Sequence, residues 1–144
     1  MIAIDTNILV YAYRSESVFH RQAYRALVDL MSKGTSWAVP WPCVYEFFAV
    51  VTNPKIFKTP SSSGDAVFFF EGFAQTAAFE FLCEKESGWA NFKEIVQRTG
   101  ITSGKVHDAK IASVCLQNDV RELWTNDRDF SLFPALTTVN PLSQ

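Results

Sequence analysis

Short apolar runs alternate along this chain with longer stretches whose apolar residues recur at helical spacing. The run 1–4 is too short for a helix and is typical of a buried parallel strand. In the stretch 18–33, by contrast, Leu27, Leu30 and Met31 lie near helical spacing, and Gly34 follows as a helix stop. The pattern therefore predicts both strands and helices, and their order along the chain decides the fold class.

The chain alternates between predicted strands and predicted helices. Strands are predicted at 1–4, 36–41, 79–83, 122–125 and 137–139, and helices at 8–13, 18–33, 43–51, 65–78, 89–98 and 106–116, with a helical turn from 129. The tract 53–64, which is rich in proline and serine, is predicted to be a loop, with Asp65 as the cap of the next helix. This order favours an α/β fold with a mostly parallel sheet. No internal repeat is evident, and we expect one domain over residues 1–144.

Composition narrows the class of protein without identifying its function. A chain of 144 residues with 48% hydrophobic residues is large enough for a real core and is not of disordered type. No run approaches the length of a membrane span, and no signal peptide is recognisable, so we expect a cytoplasmic protein without membrane contact. Cys43, Cys83 and Cys115 are far apart and form no C-x-x-C pair, which argues against a zinc site or a disulfide framework. The net charge of −2 carries no bulk signature of nucleic-acid binding, although local patches decide that property.

Acidic residues stand out at strand ends and within apolar helices. They are Asp5, Glu46, Asp108 and Asp127. In a parallel sheet, ligands collect beyond the carboxyl ends of the strands, and the starts of the following helices lie on that same edge. Several carboxylates brought together repel one another, and a hard divalent cation with oxygen ligands is the usual resolution. The pattern therefore indicates a site for Mg²⁺ or Mn²⁺.

Each of these residues also has a structural interpretation. Asp5 and Asp108 could be no more than helix caps, although the amide of Asn7 is well placed to orient a carboxylate beside it. Glu46 lies between apolar neighbours, and burying it without a partner would be costly, which favours a functional role. In the run Asn-Asp-Arg-Asp, we expect Asp129 to cap the turn that follows and Asp127 to belong to the site.

In combination, these motifs resemble a known family. The segments Asp-Thr-Asn-Ile-Leu-Val-Tyr-Ala (5–12), Val-His-Asp-Ala-Lys-Ile-Ala (106–112) and Leu-Trp-Thr-Asn-Asp-Arg-Asp-Phe (123–130), with the Glu46 helix between them, resemble the PIN domain. The segment Val-Thr-Asn-Pro-Lys-Ile-Phe (51–57) is similar to the one that follows the glutamate in VapC-type toxins. The resemblance extends from residue 1 to about residue 142, and its specificity comes from the order and spacing of the motifs.

The resemblance implies a fold, an activity and partners. The fold is a three-layer α/β/α domain with a central, mostly parallel sheet. The activity is that of a Mg²⁺-dependent endoribonuclease, which acts as the toxin of a type II toxin–antitoxin module. The partners are an RNA substrate and a cognate VapB-like antitoxin, and we expect a homodimer that forms a larger complex with the antitoxin. Asp5 and Asp108 correspond to the family's metal-binding carboxylates, Glu46 and Asp127 complete the acidic pocket, and Asn7 and Thr125 match its supporting residues.

An acidic site that cuts RNA also needs groups that hold the substrate. Basic residues near the motifs are candidates for binding phosphates, and Trp41 and Phe57 are candidates for stacking on unpaired bases, with a core role equally open. The basic candidates are Arg14, Lys55, Lys58 and Arg128, with Lys105 and Lys110 also close to the motifs.

Rival functions remain open at this point. An aspartyl-phosphate phosphohydrolase also places an Asp after its first strand, but it usually needs a second Asp at the position that Asn7 holds here. A ribonuclease with paired histidines would have to use His20 and His107, the only two in the chain, and His20 has no matching motif around it. A non-catalytic module that binds RNA or a protein on the same fold is the third alternative.

Overall fold

The computed structural model describes residues 1–143, and these build a five-stranded parallel sheet with helices between the strands. The strands are β1 (Ile2–Ile4), β2 (Trp37–Pro40), β3 (Phe79–Leu82), β4 (Glu122–Trp124) and β5 (Thr138–Val139). The helices are α1 (Thr6–Tyr13), α2 (His20–Ser32), α3 (Trp41–Val51), α4 (Ser63–Ala74), α5 (Gly88–Thr99) and α6 (Lys105–Gln117), with 3₁₀ turns at Arg128–Leu132 and Pro141–Ser143.

The strand order is β3-β2-β1-β4-β5, and every recorded pairing is parallel. All residues of β1 and β2 are buried, as expected for central strands that helices cover on both faces. The α/β class with a parallel sheet is therefore confirmed, in the three-layer arrangement. From β1 the chain proceeds outward to β2 and β3, and it later returns to place β4 on the other side of β1. The carboxyl ends of β1 and β4 thus flank a topological switch point, where open α/β sheets place their ligand sites.

Apolar and aromatic packing holds the helices on this sheet. Trp37, on β2, is fully buried and makes an edge contact with Phe73 of α4 at 5.0 Å between ring centroids. Phe47 of α3 lies in the same aromatic region, stacked on Phe69 at 5.3 Å. Aromatic pairs of this kind add directional preference to hydrophobic burial. The packing fixes α3 rigidly beside the sheet, and α3 is the helix that carries Glu46.

Two predicted details of α4 are wrong. The N-cap is Ser62, whose Oγ accepts a hydrogen bond from the Asp65 backbone at 3.0 Å, so Asp65 lies one turn inside the helix. The helix also ends at Ala74, short of the predicted Ala78. The alanines at 77 and 78 favour a helix locally, but the Ala78 carbonyl accepts a hydrogen bond from Trp37 at the start of the β2–β3 pairing. Sheet pairing here overrides helix propensity.

Candidate active site

Asp5 is the best-anchored carboxylate of the predicted set. It follows β1 directly, is 4% exposed, and caps α1 by accepting a hydrogen bond from the Thr6 backbone at 2.7 Å. Its other oxygen accepts from Asn7 Nδ2 and from Thr125 Oγ, both at 2.7 Å. Asp5 is therefore both a helix cap and a member of a buried polar network, so the two interpretations of this residue do not exclude each other.

Thr125 joins the end of β4 to this network. Besides donating to Asp5, its hydroxyl oxygen accepts from the Asp127 backbone at 3.0 Å and from Asn7 Nδ2 at 3.1 Å. The side-chain oxygen of Asn7 accepts in turn from the Asn126 backbone at 3.1 Å. Asn7 and Thr125 thus lock the ends of two neighbouring strands together. They hold the carboxylate of Asp5 in one orientation, as the sequence predicted for Asn7.

Glu46 reaches the same place from α3. Its side chain is exposed, and it accepts a hydrogen bond from Thr6 Oγ at 2.6 Å. The cost of burying an unpaired carboxylate, which favoured a functional role for Glu46, does not arise here, because the side chain is exposed and has Thr6 as a partner. Phe47 turns into the core, whereas the preceding residue, Glu46, projects to the side of the helix that forms the rim of a cavity.

The four predicted carboxylates line one common cavity of about 280 Å³. Its walls come from Asp5, Thr6, Asn7, Val10, Tyr11, Glu46, Val50, Asp108 and Asp127. Residues about 120 positions apart, Asp5 and Thr125, are in direct contact here because β1 and β4 are neighbours in the sheet. No Lys or Arg is among the lining residues, so no basic side chain compensates the charge from within the cavity.

A third aspartate, Asp129, joins Asp108 and Asp127 beside this cavity. One carboxylate oxygen from each of the three lies within 4.8 Å of the others. Asp129 also forms an ion pair with Lys105, at the start of α6. The sequence favoured Asp129 as a cap and left open whether it contributes to the site. The spacing of two carboxylates in Asn-Asp-Arg-Asp was the available signal that both could reach the site.

The prediction that Asp129 caps the turn is wrong. The cap of the 3₁₀ turn Arg128–Leu132 is Asp127, whose carboxylate accepts from the Asp129 backbone at 2.8 Å. Asp127 nevertheless lines the cavity, so one side chain takes both roles, while Asp129 lies in the turn that it was expected to cap. The chain reaches this arrangement because Thr125 already holds the backbone of Asp127.

Crowding of like charges is visible in the pKa values. The pKa of Asp5 is raised from 3.8 to about 6. Burial is the largest cause and the charges of Glu46 and Asp108 act in the same direction, whereas hydrogen bonds from Thr125 and Thr6 lower the pKa. Burial and the charge of Asp127 also raise the pKa of Asp108, which Lys105 partly offsets. Carboxylates with raised pKa values that face one cavity are typical of sites that bind a cation.

The residues fit a hard divalent cation. Oxygen donors alone converge on the cavity, and Mg²⁺ and Mn²⁺ prefer such ligands. The cavity holds no internal basic group that would already satisfy the buried charge of Asp5. A metal at this position would lower the electrostatic cost that the raised pKa of Asp5 expresses.

The predicted RNA-binding residues lie in different surroundings. The guanidinium of Arg14 lies over the Phe57 ring at 4.1 Å, pairs with Glu16, and donates to Ser61 Oγ at 2.7 Å and to the Thr59 carbonyl at 2.8 Å. These contacts anchor the loop after α3, so Arg14 has a structural role that does not depend on RNA. Phe57 has the same structural use. Most of the remaining basic candidates are exposed, namely Lys55, Lys58, Lys110 and Arg128, whereas Lys105 is half-buried and pairs with Asp129.

Two residues near Asp5 were missed by sequence reasoning. Thr6 links α1 to α3 through its hydroxyl, which donates to Glu46. Cys43, fully buried, points its Sγ at Asp5 Oδ1 from 3.8 Å, and burial raises the pKa of this thiol well above its usual value. Neither residue carried a signal by itself, because a threonine at a helix start and a cysteine in an apolar helix are both ordinary.

This chain is similar to known ribonucleases in sequence and to solved toxin structures in fold. Ribonuclease VapC43 of Mycobacterium tuberculosis is 29% identical over 143 residues, which cover 99% of this chain and 96% of that protein. Among solved structures, VapBC2 from Rickettsia felis, bound to a DNA fragment from its promoter, superposes with a TM-score of 0.70 at 22% identity, covering 97% of this chain and 98% of the other. VapC20 of M. tuberculosis, described as a sarcin-ricin loop cleaving toxin, gives 0.67 at 15% identity, with 91% and 93% covered.

The family itself follows from a broader match. The PIN domain model matches residues 2–136, from the start of β1 to the residues just before β5. That span contains all four carboxylates of the cavity together with Asn7 and Thr125, so the match and the site coincide. By its sequence, its sheet order and the place of its acidic cavity, this chain belongs to the PIN domain family.

Proposed function

We propose that this protein is a metal-dependent endoribonuclease, the toxin of a type II toxin–antitoxin module, which limits translation and growth by cutting RNA. The observation that carries the proposal is the convergence of Asp5, Glu46, Asp108 and Asp127 on one cavity at the switch point of the sheet. Membership in the PIN domain family and similarity to proteins named VapC ribonucleases support the ribonuclease assignment.

We assign the roles of the residues as part of the same proposal. Asp5 and Asp108 would hold Mg²⁺, with Mn²⁺ as the alternative, and Glu46 and Asp127 would complete the oxygen ligands directly or through water. When bound, the metal neutralises the phosphoryl oxygens and lowers the pKa of a bound water. Glu46, exposed at the rim, is placed to orient the attacking water. Attack of water at phosphorus would leave a 5′-phosphate and a 3′-hydroxyl.

Partners are proposed on the same basis. Solved relatives include a structure described as a toxin–antitoxin complex from Klebsiella pneumoniae, with a TM-score of 0.62. We infer a VapB-like antitoxin for this chain, and a homodimer that binds it in a larger complex. No described helix is long and apolar enough to cross a membrane. We place the activity in the cytoplasm, where the RNA of a bacterial cell is found.

Cleavage of single-stranded RNA with and without Mg²⁺ tests this function. The purified protein is expected to cut RNA in Mg²⁺ and to stop when EDTA is added. Asp108→Asn should lower the rate by orders of magnitude at an unchanged far-UV circular dichroism spectrum. Asp29→Asn, an exposed aspartate on α2, is the matched control and should cut normally.

The outcome separates the rival functions. RNA binding without cleavage in any divalent metal would favour a non-catalytic binding module. Hydrolysis of a small phosphate ester in place of RNA would favour a phosphohydrolase. Cleavage that survives both EDTA and Asp108→Asn would remove the metal site from the mechanism.

A further inference from the structure

A second cavity adjoins the acidic one and has a different character. It measures about 390 Å³ and lies between α3 and α6. Its walls include Pro42, Tyr45, Ala49, His107 and Lys110, and Glu46 is common to both cavities. We call this cavity the α3–α6 furrow. Because Glu46 forms a shared wall, a chain lying across the acidic site can continue directly into the furrow.

Tyr45 ends a stack of three aromatic rings. Phe81 of β3 stacks on Trp41 at 4.8 Å between centroids and 23° between ring planes, and Trp41 stacks on Tyr45 at 5.6 Å and 28°. Trp41 and Phe81 are partly buried, whereas Tyr45 is 65% exposed. The stack thus begins against the sheet and ends at the surface. A further planar group could extend it by one more member without rearrangement of the protein.

The charge of the furrow differs from that of the acidic cavity. Lys110 lies on α6, one turn after His107, and is exposed. It takes part in no ion pair recorded among residues 1–143. A cationic side chain beside an exposed aromatic ring provides both contacts that single-stranded nucleic acid needs, one for a phosphate and one for a base. Pro42 and Ala49 are short, and they leave the furrow open beside Tyr45.

We propose that the α3–α6 furrow binds one unpaired nucleotide of the RNA substrate, next to the scissile phosphate, with its base stacked on Tyr45 and its phosphate near Lys110. This rests on the proposed ribonuclease function and deepens it. A base within a duplex is already stacked on both faces and cannot reach the ring, so the furrow selects single strands and loops over double-stranded RNA. An isolated exposed tyrosine would not by itself indicate a nucleotide-binding site. Here the ring also ends an ordered stack and lies in a cavity that continues into the acidic site.

The test pairs a change in the protein with a change in the RNA. From a pool of short single-stranded RNA oligonucleotides, one that the wild type cleaves in Mg²⁺ is resynthesised with an abasic nucleotide at each position around the cut. Tyr45→Ala should lower kcat/KM on the intact RNA about 5- to 150-fold, the range expected for one lost base stack. Tyr45→Phe keeps the ring and should cut nearly normally. Tyr24→Ala, which removes another exposed tyrosine (55% exposed, on α2), is the matched control.

The decisive result is the combination. At one position, the abasic nucleotide should lower the kcat/KM of the wild type by the same factor as Tyr45→Ala lowers it on the intact RNA. The two changes together should lower kcat/KM no further than either change alone. Losses that multiply at every position, or a Tyr45→Ala variant that cuts normally, would overturn the proposal. If Tyr45→Ala instead changes only the oligomeric state by light scattering, the ring belongs to an interface between protein chains, and the proposal is wrong.

Failure of the ribonuclease function would look different. If the wild type cuts no oligonucleotide, the same RNAs are labelled with a fluorescent purine and titrated with protein in Ca²⁺. Quenching at one position that Tyr45→Ala abolishes would support the furrow while the proposed cleavage falls. Cleavage without coupling between Tyr45 and any base would support the ribonuclease function and overturn the furrow proposal. If the protein shows no cleavage and no quenching, both proposals are wrong.

Discussion

Replacing Asp5 with asparagine should change the stability of the metal-free protein in a manner that depends on pH. Asp5 has its pKa raised from 3.8 to about 6 in the folded protein, mainly by burial. For a group whose folded pKa is raised, the stability contribution is full below the unfolded pKa and is lost as the pH rises through the folded one. Between pH 4 and pH 7.5 the wild type should therefore lose about 2–3 kcal/mol through Asp5.

Asparagine removes that loss but introduces a cost of its own. Its oxygen can still accept from the Thr6 backbone, but its amide group would then face the amide of Asn7 and the hydroxyl of Thr125. Asn7 cannot easily turn over, because its oxygen accepts from the Asn126 backbone. A buried donor without a partner costs about 1–3 kcal/mol. We therefore expect Asp5→Asn to be about 1–2 kcal/mol less stable than the wild type at pH 4 and about 1 kcal/mol more stable at pH 7.5.

Urea unfolding in EDTA at the two pH values, followed by circular dichroism, measures this difference. The informative quantity is the change, between the two pH values, in the stability gap between variant and wild type. Carboxylates far from Asp5 titrate alike in both proteins and cancel, whereas Glu46 and Asp108 interact with Asp5 and contribute to the measured effect. Asp29→Asn, on the exposed face of α2, should show no such change. A gap that is the same at both pH values would refute the raised pKa. A variant that fails to fold would make Asp5 a structural residue and remove it from the proposed metal site.

Mg²⁺ provides an independent check on the same pair of proteins. A ligand that binds the folded state alone raises stability according to its concentration relative to Kd. At pH 7.5, Mg²⁺ should stabilise the wild type more than Asp5→Asn, so the order of the two proteins should reverse at high Mg²⁺. Equal stabilisation of both would place the metal elsewhere.

Three further predictions concern the surroundings of the site. Thr125→Val should destabilise the protein by about 1–3 kcal/mol in urea unfolding, because the Asp5 carboxylate and the Asp127 amide lose a shared partner; a neutral effect would mean that the network is unimportant. Lys55→Ala with Lys58→Ala should weaken RNA binding and flatten its salt dependence in titrations at several salt concentrations, whereas the exposed Lys93→Ala should not; an unchanged slope would move the RNA contacts away from this loop. Inhibition by a VapB-like antitoxin should weaken as the Mg²⁺ concentration rises and should fail when the arginine that enters the pocket is removed. The reason is that an arginine side chain and the metal compete for the same carboxylates. Inhibition that is unaffected by both changes would favour simple occlusion of the RNA groove.

The sequence by itself determined the order of strands and helices and identified Asp5, Glu46, Asp108 and Asp127 as the acidic set, but it did not show that Asp129 lies beside them. The apolar run 1–4 forms β1 at the centre of the sheet, where all its residues Ile2–Ile4 are buried, so its pattern predicts a strand without knowledge of the partners. The acidic residues follow strands or begin helices, and the topology of parallel sheets brings such positions to one edge. For this reason the convergence of Asp5 and Asp127 was predictable, although the two residues are far apart along the chain.

Only the tertiary structure decided the environment of each side chain. Glu46 is exposed because packing turned Phe47 inward, which the composition of α3 alone does not specify. Arg14 is occupied by the segment around Ser61, a contact between residues 47 positions apart. Asp127 caps its turn, and its backbone N–H donates to Thr125, which itself donates to Asp5 at the end of the neighbouring strand. Local preferences differ here by little free energy, and contacts between distant parts of the chain select among them.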